Sequence, residues 1–132
     1  MAADSSSTIR LRRAYDSPDG GRRVLVDRLW PRGVARSDLD LVEWAKQVAP
    51  SDGLRRAFHA GELPFDAFAQ RYRDELRAEG DDAGRRAVHA LLRRWRDSGP
   101  GDLVLVYAAT DRERSHARVL AEHLRRVAAQ LR

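Results

Sequence analysis

Leu103 to Ala109, LVLVYAA, offers a strand no polar face. Successive side chains of a strand point to opposite sides. A strand apolar on both sides has to be covered on both, which favours a central position in a parallel sheet with helices above and below. Thr110-x-x-Glu113 follows immediately and has the capping-box pattern for a final helix. That helix would bury Ala117, Leu120, Ala121, Leu124, Val127, Ala128 and Leu131. A buried strand passing directly into a capped helix argues for a small α/β fold.

The rest of the chain fits around that strand. Thr8 to Arg13 alternates, with Ile9 and Leu11 on one side and Arg10 and Arg12 on the other, as expected of a half-exposed strand at a sheet edge. SPDGG, Ser17 to Gly21, is turn chemistry. Arg22 to Leu29 reads as a second strand. Ser37 is a candidate N-cap for a helix reaching Val48, and Ala49-Pro50 would stop it. Ser51 caps a short helix with Leu54 and Phe58 inward. Pro64 opens a longer one with Phe65, Phe68, Ala69, Tyr72 and Leu76 on one stripe, ended by Gly80. Asp81 or Asp82 starts the next, with Val88, Leu91, Leu92 and Trp95 inward. The expectation is a mostly parallel sheet of three or four short strands with about five helices. Residues 8–132 form one domain, and residues 1–7 read as a disordered tail.

Composition narrows the chemistry. There is no cysteine, which excludes disulfides, thiolate metal sites and thiol nucleophiles and fits a cytoplasmic protein. MAADSSST lacks the features of a signal peptide, and no apolar run approaches the roughly 20 residues of a membrane span. The net charge is +5, and of the 25 basic residues only Lys46 is lysine. Arginine bias of that kind, with abundant alanine, reflects a GC-rich genome more readily than arginine-specific chemistry. The charge is spread among 20 acidic residues, so weak, non-specific nucleic-acid binding is the most that it supports. The oligomeric state is not legible.

The densest polar chemistry follows the second strand, in VLVDRLWPRG, Val24 to Gly33. If the strands are parallel, their C-terminal ends share one edge, where open α/β sheets bind ligands. That edge would gather Tyr15, Asp16, the Asp27 to Arg32 loop and Thr110 to His116. Arg28 and Arg32 suit a phosphate or carboxylate, because a guanidinium fork matches such anions bidentately. The alternative is that Arg28 pairs with Asp27 or Asp16 and that Arg32 is solvated. Trp30 and Tyr15 are candidate walls for a ligand, and Thr110 would add amides at a helix start. Asp27, Asp111 and His116 are the candidate acid–base groups. Each has a structural reading as well: an ion pair for Asp27, a cap for Asp111, a satisfied half-buried histidine for His116.

No metal-ligand spacing, glycine-rich phosphate loop, dinucleotide fingerprint or nucleophile elbow is present, so no cofactor is expected. The leading reading is a binder of a small anionic molecule, with enzymatic activity left open. The alternatives are a nucleic-acid-binding or regulatory module and an interaction domain without chemistry.

The segments IRLRRAYD, GRRVLVDRLWPRG, DLVEWAKQVAPS, RYRDEL and LVLVYAATDRERSHARVLAEHL resemble the small bacterial proteins of domain-of-unknown-function family 488, in its YeaO-like branch. The likeness runs from about Thr8 to Leu124 and implies an α/β fold without assigning a biochemistry. Another branch of that family carries a cysteine at a strand end and a Cys-His-Arg motif in the next helix. Here the matching stretches read Tyr107-Ala108-Ala109 and Ser115-His116-Ala117, so only the histidine corresponds. Thiol chemistry does not carry over.

Overall fold

The computed structural model describes residues 8–77 and 83–130. Four strands form one sheet: β1 (Ile9–Arg13), β2 (Arg22–Leu25), β3 (Glu43–Trp44) and β4 (Leu103–Tyr107). Their order is β1-β4-β2-β3, and every pairing is parallel. LVLVY therefore sits between two neighbours, with Leu105 opposite both Leu11 and Val24. All five residues of β4 are buried. β1 lies at an edge, as its alternation implied.

The helices are α1 (Arg36–Leu39), α2 (Asp52–His59), α3 (Phe65–Arg77), α4 (Ala83–Asp97) and α5 (His116–Gln130). α2 to α5 all pack on one face of the sheet. Leu54, Phe68, Tyr72, Leu91 and Leu120 meet Val24, Val26, Leu103 and Leu105 there. The second face carries a smaller core of Ala14, Leu25, Leu39, Val104 and Val106. Its cover is the β2–β3 connection, through Trp30, Val34 and Leu41, rather than a long helix. Burying Val104 and Val106 needs apolar atoms above them, and a folded loop holding an indole supplies these.

The expected helix from Ser37 to Val48 does not form. α1 is one turn, its N-cap is Ala35, and Asp40 takes a left-handed conformation (φ 50°, ψ 52°) that ends it. Glu43 and Trp44 then pair with Val24 and Leu25 as the fourth strand, and Lys46–Val48 is a single 3₁₀ turn. Hydrogen bonding to an open sheet edge outweighs weak local helix preference. β2 also stops at Leu25, short of Leu29, although Val26 N–H still reaches the carbonyl of Val106 (3.0 Å).

The final helix begins later than the capping-box pattern suggests. Ser115 Oγ accepts from Arg118 N–H (3.3 Å), and the helix starts at His116. Asp111 caps a separate turn, accepting from the amides of Glu113 and Arg114 at 2.9 Å each. Trp95, expected in the core, packs against it only partly buried and donates to the carbonyl of Gly101. Gly80, Asp81, Asp82, Leu131 and the 1–7 tail lie outside the described residues. Among the described residues no helix is long and apolar enough to cross a membrane.

The stretch 14–21 returns the chain to the start of β2. Arg12 holds it by donating to the carbonyl of Ser17, and Arg10 by a two-oxygen pairing with Asp19 at 2.9 Å. These ion pairs raise the Arg10 pKa and hold Asp19 below the usual carboxylate range. Arg10 and Arg12 of RLRR are thus spent on shaping a connection, while Arg13 donates to the carbonyls of Ala108 (3.2 Å) and Ala109 (2.9 Å).

Candidate functional site

The parallel sheet puts the C-terminal ends of β2 and β4 side by side, and a cavity of about 360 Å³ opens there. Its floor is Asp27 with Ala108 and Ala109. One wall is the Arg28 to Arg32 loop with Tyr15, and another is Pro50 with Arg55, Phe58 and His59 of α2. The start of α5 closes it through Arg114, Ser115 and His116. Four guanidiniums thus surround one carboxylate.

Asp27 occupies the residue after the last β2–β4 backbone contact, so the sheet itself aims it into the cavity. Its Oδ2 accepts from Ala108 N–H (3.0 Å). Its Oδ1 is buried and 3.1 Å from His116 Nε2. That same nitrogen lies 3.1 Å from the carbonyl oxygen of Val26. Both neighbours are acceptors, so Nε2 must carry the hydrogen. The angle favours Val26, which leaves Oδ1 of Asp27 without a directed donor.

Beneath His116 the ring of Tyr72 lies 6.2 Å away, and its hydroxyl donates to the carbonyl of Val48. Complete burial, with Glu75 and Asp27 nearby, pushes the Tyr72 phenol well above its ordinary pKa. It stays a neutral donor that pins the end of the 3₁₀ turn.

Arg28 bonds neither Asp27 nor Asp16. Its Nε donates to the carbonyl of Pro50 (2.9 Å), while Asp16 pairs with Arg112 (3.1 Å). Pro50 is itself fixed from α3, because Glu75 accepts from both Ser51 N–H and Ser51 Oγ–H. Ser51 in turn caps α2 by accepting from Leu54 N–H. One chain of polar contacts therefore sets the spacing between the Arg28 loop and the α2 wall.

Trp30 serves the loop as much as the cavity. Its Nε1 donates to Val34 O (2.7 Å), and its ring meets Trp44 edge-on with centroids 5.4 Å apart. Arg36 stacks over it at 5.7 Å. Trp44 likewise anchors the site, donating from Nε1 to the carbonyl of Asp27 (2.7 Å). Tyr15 is half exposed and donates to the carbonyl of Arg32 (3.1 Å), tying the end of β1 to the loop.

Of the residues singled out from sequence, Tyr15, Asp27, Arg28, Trp30, Arg32 and His116 converge on the cavity. Thr110 and Asp111 do not line it, and Thr110 is not a helix cap. The sequence reading brought the stretch Thr110 to His116 to this edge without singling out Arg114, and it missed Arg55, Phe58 and His59 as site residues. The signal for two of these was present: Arg55 and His59 are four apart on a short helix, so they share a face. Among the described residues no cluster of three or more His, Asp or Glu is placed to hold a metal ion.

Comparison with known proteins places this architecture. The uncharacterized protein YeaO of Escherichia coli is 39% identical over 119 residues, 89% of this chain and 96% of its own. The uncharacterized proteins Mb3100c of Mycobacterium bovis and Rv3073c of Mycobacterium tuberculosis are each 41% identical over 118 residues, 88% of this chain and 92% of theirs. No solved structure matches the chain. A family model described as the inactive DUF488-N3 subclade matches residues 8–131. With that match spanning the sheet, the DRLWPRG loop and the last helix, the chain belongs to the DUF488 family, in the DUF488-N3 subclade described as inactive.

Proposed function

We propose that this chain binds a small anionic molecule, bearing phosphate or carboxylate, in the cavity at the C-terminal edge of its sheet, and that it acts by binding rather than turnover. The observation that carries this reading is the convergence of Arg28, Arg32, Arg55 and Arg114 on one cavity whose lining has a single carboxylate. These arginines come from three separate parts of the chain. Asp52 offsets Arg55 (3.0 Å), and Arg28, Arg32 and Arg114 are left as like charges that repel at close range. An anion offsets that cost and accepts from several forks at once. The volume lies at the small end of the range for small-molecule sites.

Binding without turnover is supported by the family description and by the chain's lack of cysteine. It is also supported by the Asp27–His116 pair, which is occupied in holding Ala108 and Val26 in place. Nucleic acid is the weaker reading. Arg10 and Arg12 of RLRR are engaged within the fold, and Arg94 pairs with Glu43 at 2.7 Å.

The test is a thermal-shift series with sulfate, phosphate and phosphate esters. A ligand bound only by the folded chain raises Tm by mass action. Arg32→Ala is expected to reduce that rise while leaving the unliganded Tm nearly unchanged, since Arg32 is exposed. No rise with any anion, or an equal rise in both proteins, would remove the reading.

A further inference from the structure

We infer that the ligand of this cavity is an aryl anion, a flat apolar ring bearing one phosphate or carboxylate, with the ring against Leu29, Trp30 and Phe58 and the anion on Arg28, Arg32 and Arg114. This rests on the anion-binding reading above and names the rest of the molecule to which the anion belongs.

The apolar surface that the fold leaves in water is gathered at this cavity. Among the described residues three large hydrophobic side chains are exposed, Tyr15 at 50%, Leu29 at 59% and Val42 at 54%, and the first two line it. Trp30 and Phe58 line it as well and are only half-buried. Single exposed hydrophobics scattered over a surface carry no message, but several around one concavity mark a binding site. Leu29 is moreover displayed on a braced loop. Trp30 Nε1 holds the carbonyl of Val34, the Tyr15 hydroxyl holds that of Arg32, and Pro31 has its φ fixed by its ring. The loop cannot collapse to hide Leu29, so its exposure is a standing cost that an apolar ligand would offset.

Size points the same way. Sulfate or phosphate alone has the bulk of a few water molecules of about 30 Å³ each and would leave most of the 360 Å³ as water against apolar walls. Small-molecule sites are mostly apolar, with a few polar groups that fix the ligand's orientation. The walls also favour a flat body. Tyr15, Trp30 and Phe58 present rings and the arginines present planar forks, and a planar ligand stacks on either. A puckered body meets the same surfaces with fewer atoms.

The anionic end is set by Arg28. Its Nε is committed to the carbonyl of Pro50 (2.9 Å), which fixes the guanidinium and leaves both Nη groups without a partner among the described residues. Arg32 and Arg114 are exposed, and their side chains have no ion-pair partner there either. Arg55 differs, being paired with Asp52. Three free forks beside an apolar wall call for one molecule with both characters.

The experiment is calorimetric titration of the full chain with phenyl, cyclohexyl and methyl phosphate, and with benzoate and acetate for a carboxylate head. The ring-bearing anion is expected to bind about tenfold more tightly than its methyl counterpart, whichever head group the site takes. Cyclohexyl phosphate is expected to bind about threefold more weakly than phenyl phosphate. Leu29→Ser should leave the unliganded Tm nearly unchanged, because Leu29 is exposed, and should cut the phenyl-over-methyl preference to about threefold or less. Equal affinity for ring-bearing and methyl anions overturns this inference and leaves the anion pocket standing. Equal affinity for phenyl and cyclohexyl phosphate overturns the flat ring. A full preference kept in Leu29→Ser overturns the placement of the ring on this wall. Binding of none of the five anions overturns the anion pocket and this inference with it.

Discussion

His116 Nε2 stands 3.1 Å from Asp27 Oδ1 across a gap of nearly ninety residues in sequence, and the same nitrogen reaches the carbonyl of Val26. The first residue of the last helix is thereby docked onto the end of β2. Asp27 completes the connection by accepting from Ala108 at the end of β4. Two strand ends and one helix start are joined through a single carboxylate and a single imidazole.

Asp27→Ala removes the acceptor for Ala108 N–H and takes the carboxylate from beside His116. Leaving a part-buried donor unpaired should cost roughly 1–3 kcal/mol. Asp27→Asn, which keeps an oxygen for that amide, should cost less. Urea unfolding midpoints rank the three proteins. Asp27→Ala as stable as the wild type would mean that water satisfies both groups and that the pair does not dock the helix.

Leu105 is fully buried at the centre of the sheet. Leu105→Ala should lower stability by roughly 2–5 kcal/mol, the lost transfer energy plus the cavity left behind. Chemical denaturation reads this directly, and an unmoved midpoint would contradict the central place of β4.

Gly84 lies in the first turn of α4, against α3. A Cβ there would come 2.5 Å from the carbonyl oxygen of Glu75, a backbone atom that cannot step aside. In an open helix, Gly→Ala stabilises by roughly 0.5–1 kcal/mol. Here overpacking, roughly 1–3 kcal/mol, should win, so Gly84→Ala is expected to lower Tm. A raised Tm would mean that α4 can move off α3 at little cost.

His123 is buried on α5, and burial, reinforced by Arg126, Arg77, His89 and Arg73, pulls its pKa below the ordinary 6.5. The unfolded chain therefore binds a proton at His123 more readily than the folded one. The stability this contributes is present above pH 6.5 and is lost as the pH falls from 6.5 toward the folded-state pKa. His123→Leu should flatten that part of the stability–pH curve. Denaturation midpoints measured from pH 7.5 downward test this, and parallel curves for the two proteins would refute it.

Much of the fold was legible because its signals are local. LVLVYAA has no polar face, so a central buried strand followed from seven residues alone. The stripes of α3, α4 and α5 follow the helical repeat, and the polar loop after Val26 announced itself by composition. What escaped depends on partners distant in sequence. Glu43 and Trp44 become a strand only because β2 offers them an edge, and nothing within residues 37–48 records that edge. The start of α5 shifted to His116 because docking on Val26 and Asp27 fixes it there, against a good local capping pattern at Thr110. The second face of β4 needed a cover, but only the folded loop decided that Trp30 and Leu39 would supply it in place of a helix.

The site divides the same way. Sequence alone determined that a rigid strand would deliver Asp27, Arg28, Trp30 and Arg32 together, since they are neighbours in the chain. The stretch holding Arg114 was expected at the same edge from the parallel topology, but only the tertiary structure decided that Arg55 would face them, through the crossover that carries α2 to the sheet edge. Periodicity and capping are short-range and can be read from a segment. Which charges meet across a cavity is set by packing between segments, where hydrophobic burial fixes the backbones and the polar groups are brought face to face.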